Sequence, residues 1–183
     1  RRGAPEPQAQ LAYWMERLAG APAALTMPID RPRPPIQSFA GADVRFTVGP
    51  DVTDGLRALA RRQGATLYMT LLAPFQVLLA RHAGQDEVLV GSPIAGRPRT
   101  ELEGLIGFFA NTVVLRGELG GDPTFVELLR RTREAALGAF ANAEVPFERL
   151  VEALRPARDA SRNPLFQAML ALQNPPRAPL ALA

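Results

Sequence analysis

Apolar residues along the chain follow two rhythms, one recurring every three to four positions and one alternating or continuous over short runs. From Gln8 to Leu18, Leu11, Trp14, Met15 and Leu18 recur at helical spacing, with Gly20 as a stop. Five prolines, at 22, 28, 32, 34 and 35, then hold Ala21–Pro35 extended. Asp43 to Val48 alternates polar and apolar residues, which predicts a half-buried strand. Pro50-Asp51 opens a helix to about Gln63 with Val52, Leu56, Leu59 and Ala60 in one stripe, and Gly64 ends it. Thr66 to about Ala83 is apolar on nearly every side, so it predicts the central buried helix, bent or broken at Pro74.

Glu87 to Ser92 reads as a short strand covered on both faces, and Thr112 to Leu115 as a second buried strand. A loop of about 20 residues joins them, a length that in compact domains marks function or mobility. Thr124 and Glu127 form a capping box for a helix to about Ala141, with Arg130, Arg131, Arg133 and Glu134 on its solvated side. Val145-Pro-Phe-Glu148 interrupts, a shorter helix runs to Leu154, and a polar cluster from Arg158 to Leu165 feeds a final strand, Phe166 to Leu172. The pattern predicts an α/β domain.

Composition narrows the chemistry. With 183 residues, 47% of them hydrophobic, the chain suffices for one sizeable core. It contains no cysteine, which excludes disulfides, thiolate metal sites and cysteine nucleophiles, and no metal-ligand spacing occurs. Every basic residue is arginine, so lysine chemistry is absent and the pI of 10.4 reflects the guanidinium pKa. The net charge is only +3 with signs interleaved, which argues against a nucleic-acid surface. No apolar run reaches the roughly 18 residues that span a bilayer, so the expectation is a soluble, cytoplasmic protein with no membrane partner.

Candidate chemistry is sparse. His82 is the single histidine and falls in a helix's last turn, where interaction with free carbonyls and the helix dipole is the plain reading. Asn111 stands at a strand mouth in an apolar setting, either as a structural hydrogen-bonder or as a group aimed into a cleft. Arg158, Asp159, Ser161 and Arg162 form either a hydrogen-bonded turn or a ligand clamp. No complete catalytic set is present.

Three motifs in order carry a resemblance: Ile106-Gly-Phe-Phe-Ala-Asn-Thr-Val-Val-Leu-Arg116, Asn142-Ala-Glu-Val-Pro-Phe-Glu148 and Arg158-Asp-Ala-Ser-Arg-Asn-Pro-Leu165. Gln10-Leu-Ala-Tyr-Trp14, Asp30-Arg-Pro-Arg-Pro34 and Val90-Gly-Ser-Pro-Ile-Ala-Gly-Arg97 add to it. The chain resembles the C-terminal lobe of a condensation domain of nonribosomal peptide synthetases, of the chloramphenicol-acetyltransferase-like acyltransferase fold. The middle motif departs from the family pattern, with Ala143 and Glu144 where Gln and Asp are usual.

The resemblance implies a mixed sheet packed by helices and a division into a leading helix with a Pro-rich inter-lobe segment (1–35), the lobe itself (36–173) and a Pro-rich tail or linker (174–183). It implies amide-bond formation in antibiotic or secondary-metabolite biosynthesis, between an acyl or peptidyl thioester and the amine of an aminoacyl group. By the same resemblance no cofactor would be bound directly, and the phosphopantetheine arms of carrier proteins would be substrates. Upstream and downstream carrier proteins, an N-terminal condensation lobe and an adenylation domain are the implied partners. Asn111, Phe109 and Gly107 would face the substrate channel, Pro98 to Leu105 would be its floor loop, and Arg97, Arg158, Asp159 and Arg162 would keep shape between lobes. The family's catalytic motif, two histidines followed after three residues by Asp-Gly, does not occur, so the chain is expected to begin midway through the domain and to be inactive alone. A non-catalytic carrier-docking module is the competing reading. An epimerization domain of the same fold is disfavoured by Phe109-Ala-Asn-Thr112.

Overall fold

The computed structural model describes residues 6–95, 107 and 109–173. The first helix, α1 (Pro7–Arg17), takes Pro7 in its first turn, where the missing N–H is no loss. It buries Gln10 and Trp14, one turn apart on the same face. After the extended proline segment come α2 (Pro50–Arg62) and α3 (Leu67–Ala83). Thr66 caps α3 by accepting the Met69 N–H, and Gly84 closes it in the left-handed conformation that glycine adopts without penalty. Pro74 does not break α3: its ring sits on the exposed side, while Leu72, Ala73, Gln76, Leu79 and Ala80 are buried on the other. Among the described residues, no single helix is long and apolar enough to cross a membrane.

Strand β1 (Glu87–Ile94) pairs antiparallel with β2 (Asn111–Glu118), from Glu87↔Glu118 to Ile94↔Asn111. Both strands run longer than their apolar cores suggest, because the ladder continues through Pro93 at one end and Gly117 at the other. After β2 come α4 (Phe125–Ala141), α5 (Phe147–Leu154) and the two-residue β3 (Ala168–Met169), which lies parallel to β1. The sheet order is β2-β1-β3, so β1 is central. The fold is a mixed α/β lobe with a small mixed sheet.

Alternation along the strands divides the sheet's two faces. Val88, Val90, Ser92, Val113, Leu115 and Gly117 share the face covered by α3 and α4. There Gly117 lies so close to the Gln76 carboxamide that a Cβ would come within 2.6 Å of it. On the opposite face Gly91 leaves the room in which the Phe166 ring sits, and Phe166 in turn lies 5.5 Å from Phe147 of α5. Arg116, on this second face, reaches α1: its Nη1 donates to the carbonyls of Arg17 and Ala19, and its Nη2 pairs with Glu87 at 2.6 Å. A strand arginine thus serves as the C-terminal cap of a helix.

Two expected strands are corrected. Residues 43–48 form no strand; they are exposed and without regular structure, and among the described residues no neighbouring segment completes their backbone hydrogen bonding. The final strand is confined to Ala168–Met169 instead of Phe166 to Leu172, because only these residues lie in register with β1. The arginines of α4 do more than face solvent. Arg131 donates to the carbonyls of Glu118 and Gly120, and Arg133 to that of Gly64.

Candidate functional site

The antiparallel pair opens at Ile94 and Asn111, and the Asn111 side chain is engaged in four directions. Its Nδ2 donates to the carbonyls of Ala143 (2.9 Å) and Val145 (2.8 Å). Its Oδ1 accepts from the N–H of Thr112 (2.8 Å) and of Phe147 (3.1 Å). All the amide's usual donor and acceptor capacity is thereby used. Of the two readings open at the sequence level, the geometry is that of a hydrogen-bonder closing the turn between α4 and α5.

Sequence reasoning missed the rest of this turn's supports. Trp14 Nε1 donates to the Asn142 carbonyl at 2.8 Å. The Gln10 carboxamide faces Glu144 twice, accepting its N–H at 3.1 Å and donating to its carboxylate at 3.2 Å. Asn142 itself donates back to Gly138. A signal existed: Gln10, Trp14 and Leu18 are spaced to share a helix face, and a glutamine on an apolar face demands a partner.

Phe109 and Gly107 precede Asn111, and the Phe109 ring lies beside Gly107, 3.0 Å from where a Cβ would stand. Phe109 is half-buried and Gly107 exposed. Arg97 and the expected floor loop, Pro98 to Leu105, lie outside the described residues. At the same end of the sheet, Tyr68 of α3 packs against Phe140 with ring centroids 6.2 Å apart. Its hydroxyl is enclosed without a well-formed hydrogen bond. Burial raises the phenol's pKa, and the neighbouring Ser92 hydroxyl works in the opposite direction.

Asp159, Ser161 and Arg162 form a turn. The Asp159 carboxylate accepts the Ser161 N–H at 2.9 Å and its hydroxyl at 2.6 Å, and faces Arg162 Nε at 2.6 Å. The two Ser161 bonds, then the guanidinium, hold the carboxyl below its ordinary pKa. Arg158 lies outside these bonds, exposed on the rim of a groove of about 560 Å³ that Val151, Pro164 and Leu165 also line. The sequence-level alternatives of turn and clamp thus separate, with the turn belonging to Asp159, Ser161 and Arg162.

His82 is exposed in the last turn of α3. That turn leads into Glu87, whereas Asn111 pairs with Ile94 at the far end of β1, so roughly 20 Å of strand separates the two. Among the described residues no cluster of His, Asp and Glu is arranged to hold a metal ion.

A small mixed sheet flanked by helices, with the connection between its two long strands ending at a clamped asparagine, is the lobe of a chloramphenicol-acetyltransferase-like fold. The family described as the condensation domain matches residues 2–178, and the chain belongs to that family. It is 53% identical over 167 residues to one of the linear gramicidin synthase proteins of Brevibacillus parabrevis, a match covering 91% of this chain and 3% of that protein. Among solved structures, a holo four-domain nonribosomal peptide synthetase bound to AMP and glycine is similar with a TM-score of 0.87 and 31% identity, over 90% of this chain and 12% of that one. The X-domain from teicoplanin biosynthesis in complex with OxyB is similar with a TM-score of 0.84 and 29% identity, over 89% of this chain and 36% of that one. The chain therefore spans well under half the length of each of these relatives.

Proposed function

We propose that this chain is the C-terminal lobe of a nonribosomal peptide synthetase condensation domain and forms one wall of the tunnel in which amide bonds are made. The family match over residues 2–178 carries this reading, and the identity to linear gramicidin synthase supports it. In the proposed reaction the amine of a carrier-bound aminoacyl group attacks the carbonyl carbon of an acyl or peptidyl thioester. The C–N bond forms, the C–S bond breaks, the donor's phosphopantetheine thiol leaves, and the amine gives up its proton.

The lobe's contribution is placement. Holding amine and thioester in register is worth about 7–11 kcal/mol in favourable cases, so a wall of fixed shape is itself catalytic equipment. Asn111 acts on that wall through the backbone, fixing the turn 143–147 and the start of β2 against each other, and is a positioning residue. Phe109 and Gly107 line the channel, and Asp159 and Arg162 keep the shape of the inter-lobe crossing. The proton acceptor is a histidine of the partner lobe, since His82 stands at the other end of the sheet.

The test is single-round transfer between two loaded carrier proteins. The chain alone is expected to give no dipeptidyl product, and the chain joined to a lobe bearing the two-histidine motif to give it. Absence of product from the joined protein, with both lobes folded, would leave the second reading: a docking module without chemistry. The likeness to the X-domain in complex with OxyB favours that alternative.

A further inference from the structure

The turn between α4 and α5 is held from two sides. From β2, Asn111 donates to the carbonyls of Ala143 and Val145 and accepts the Phe147 N–H. From α1, Trp14 donates to the Asn142 carbonyl and Gln10 accepts the Glu144 N–H. Most of these are backbone groups that a helix end leaves without a partner of its own.

Gln10 is 0% exposed and meets Glu144 across 134 positions of sequence. Its Oε1 accepts the Glu144 N–H at 3.1 Å while its Nε2 donates to the Glu144 carboxylate at 3.2 Å. These partners fix which way the amide points, because a backbone N–H only donates and an ionised carboxylate only accepts. The position therefore calls for an amide of this length. Glutamate of the same length accepts at both atoms, methionine fills the space without either bond, and asparagine falls one methylene short. On a helix face otherwise occupied by Trp14 and Leu18, a buried amide is costly unless both of its ends are satisfied.

Held by Asn111 alone, the turn could pivot about one side chain; a second anchor on α1 fixes its orientation. That orientation reaches further in both directions. Asn111 opens β2, two residues after Phe109, and the Phe147 ring lies 5.5 Å from Phe166 under the sheet.

We infer that Gln10 is a second positioning residue for amide-bond formation: acting through Glu144 and the turn 143–147, it sets the seat of Asn111 and of the channel wall that leads into it. The inference rests on the acyl-transfer reading above and names a residue of α1 that touches no substrate. A misplacement of about 1 Å in such a wall can cost on the order of 100-fold in rate.

Two measurements test it on Gln10→Met, with Gln10→Asn as a milder variant that reads the same if the Met variant does not fold. In the chain joined to a lobe bearing the two-histidine motif, single-round transfer at saturating loaded carriers, well below the variant's Tm, is expected to fall about tenfold for Met and less for Asn. The half-saturating concentration of each carrier is expected to stay within about twofold of the parent value, since binding is not what the residue supplies. In the 183-residue chain by itself, amide exchange at Phe147 is expected to quicken about tenfold while Val113 and Leu115 in the β1–β2 ladder keep their protection. A parental transfer rate with a lowered Tm would make Gln10 a structural residue only and overturn the inference. So would parental exchange at Phe147. A joined parent protein that makes no dipeptidyl product would overturn the acyl-transfer reading itself and the role of Gln10 with it, whereas failure confined to the variants overturns the role of Gln10 alone.

Discussion

The Phe147 N–H donates to Asn111 Oδ1 at 3.1 Å, so the first residue of β2 caps the first residue of α5. Pro146, at the α5 N-cap, supplies no side-chain acceptor of its own, and the sheet provides what the local sequence lacks.

Replacing Asn111 by Asp preserves the two accepted bonds but turns a carboxylate oxygen toward the carbonyls of Ala143 and Val145. Two carbonyls lose a donor and gain a repulsive neighbour. The expected loss is about 2–4 kcal/mol, with Asn111→Ala similar, which for a chain of this size lowers Tm by roughly 5–10 °C. Differential scanning calorimetry checks it; an unchanged Tm for the Asp variant would mean that the four bonds do not act together.

Gly91 and Phe166 are coupled through space. Gly91→Ala puts a methyl into the Phe166 ring and is expected to destabilise by about 1–3 kcal/mol. Phe166→Leu vacates that space, so the double variant loses less than the two single losses combined. Strict additivity in urea unfolding would show that ring and methyl do not compete.

In the turn after α5, Asp159→Ala removes both bonds to Ser161 and the contact with Arg162, and lowers Tm. Arg158→Ala, at an exposed side chain outside those bonds, leaves Tm unchanged. A larger fall for Arg158 than for Asp159 would reverse the assignment of shape-keeping within this motif.

Acid sensitivity has a local source on α4. The bonds from Arg130 and Arg131 pull the Glu127 carboxyl down from 4.5 to about 2. A depressed carboxylate pKa contributes stability that is fully present above the unfolded value and is lost as pH falls through the folded one, here between about 4.5 and 2. Glu127 is half-buried at the surface, with its carboxylate open to solvent, so the contribution is small and salt-screened. Glu127→Gln is expected to flatten the fall in urea midpoint between pH 6 and pH 3 at low salt, and the difference from the parent chain is expected to shrink at high salt. Identical slopes for the two proteins would remove the network from the acid response.

Five helices and the two long strands were legible from residues alone, because caps such as Thr66 and Thr124 and stops such as Gly84 act within a few positions. The fate of Asp43–Val48 was not legible, since alternation specifies a strand's faces but never supplies its neighbour. Asn111 was visible as a polar group needing partners, yet three of its four partners lie 32 to 36 positions away. A greater distance hid the roles of Trp14 and Gln10, whose acceptors are more than a hundred residues downstream. Resemblance located the motifs; only the folded chain shows that Asp159 and Arg158, adjacent in one motif and lining one groove, differ in bonding, with Asp159 tied to Ser161 and Arg162.

Helix α1 touches the turn after α4 through Gln10 and Trp14, and the far end of β2 through Arg17, which bonds Glu118 at 2.6 Å. It is therefore a ruler laid along the strand. A slip by one helical turn would displace every contact by about 5 Å at once, so the helix has a single seat. The spacing between the asparagine-clamped turn and the opposite rim of the sheet is set by the length of α1.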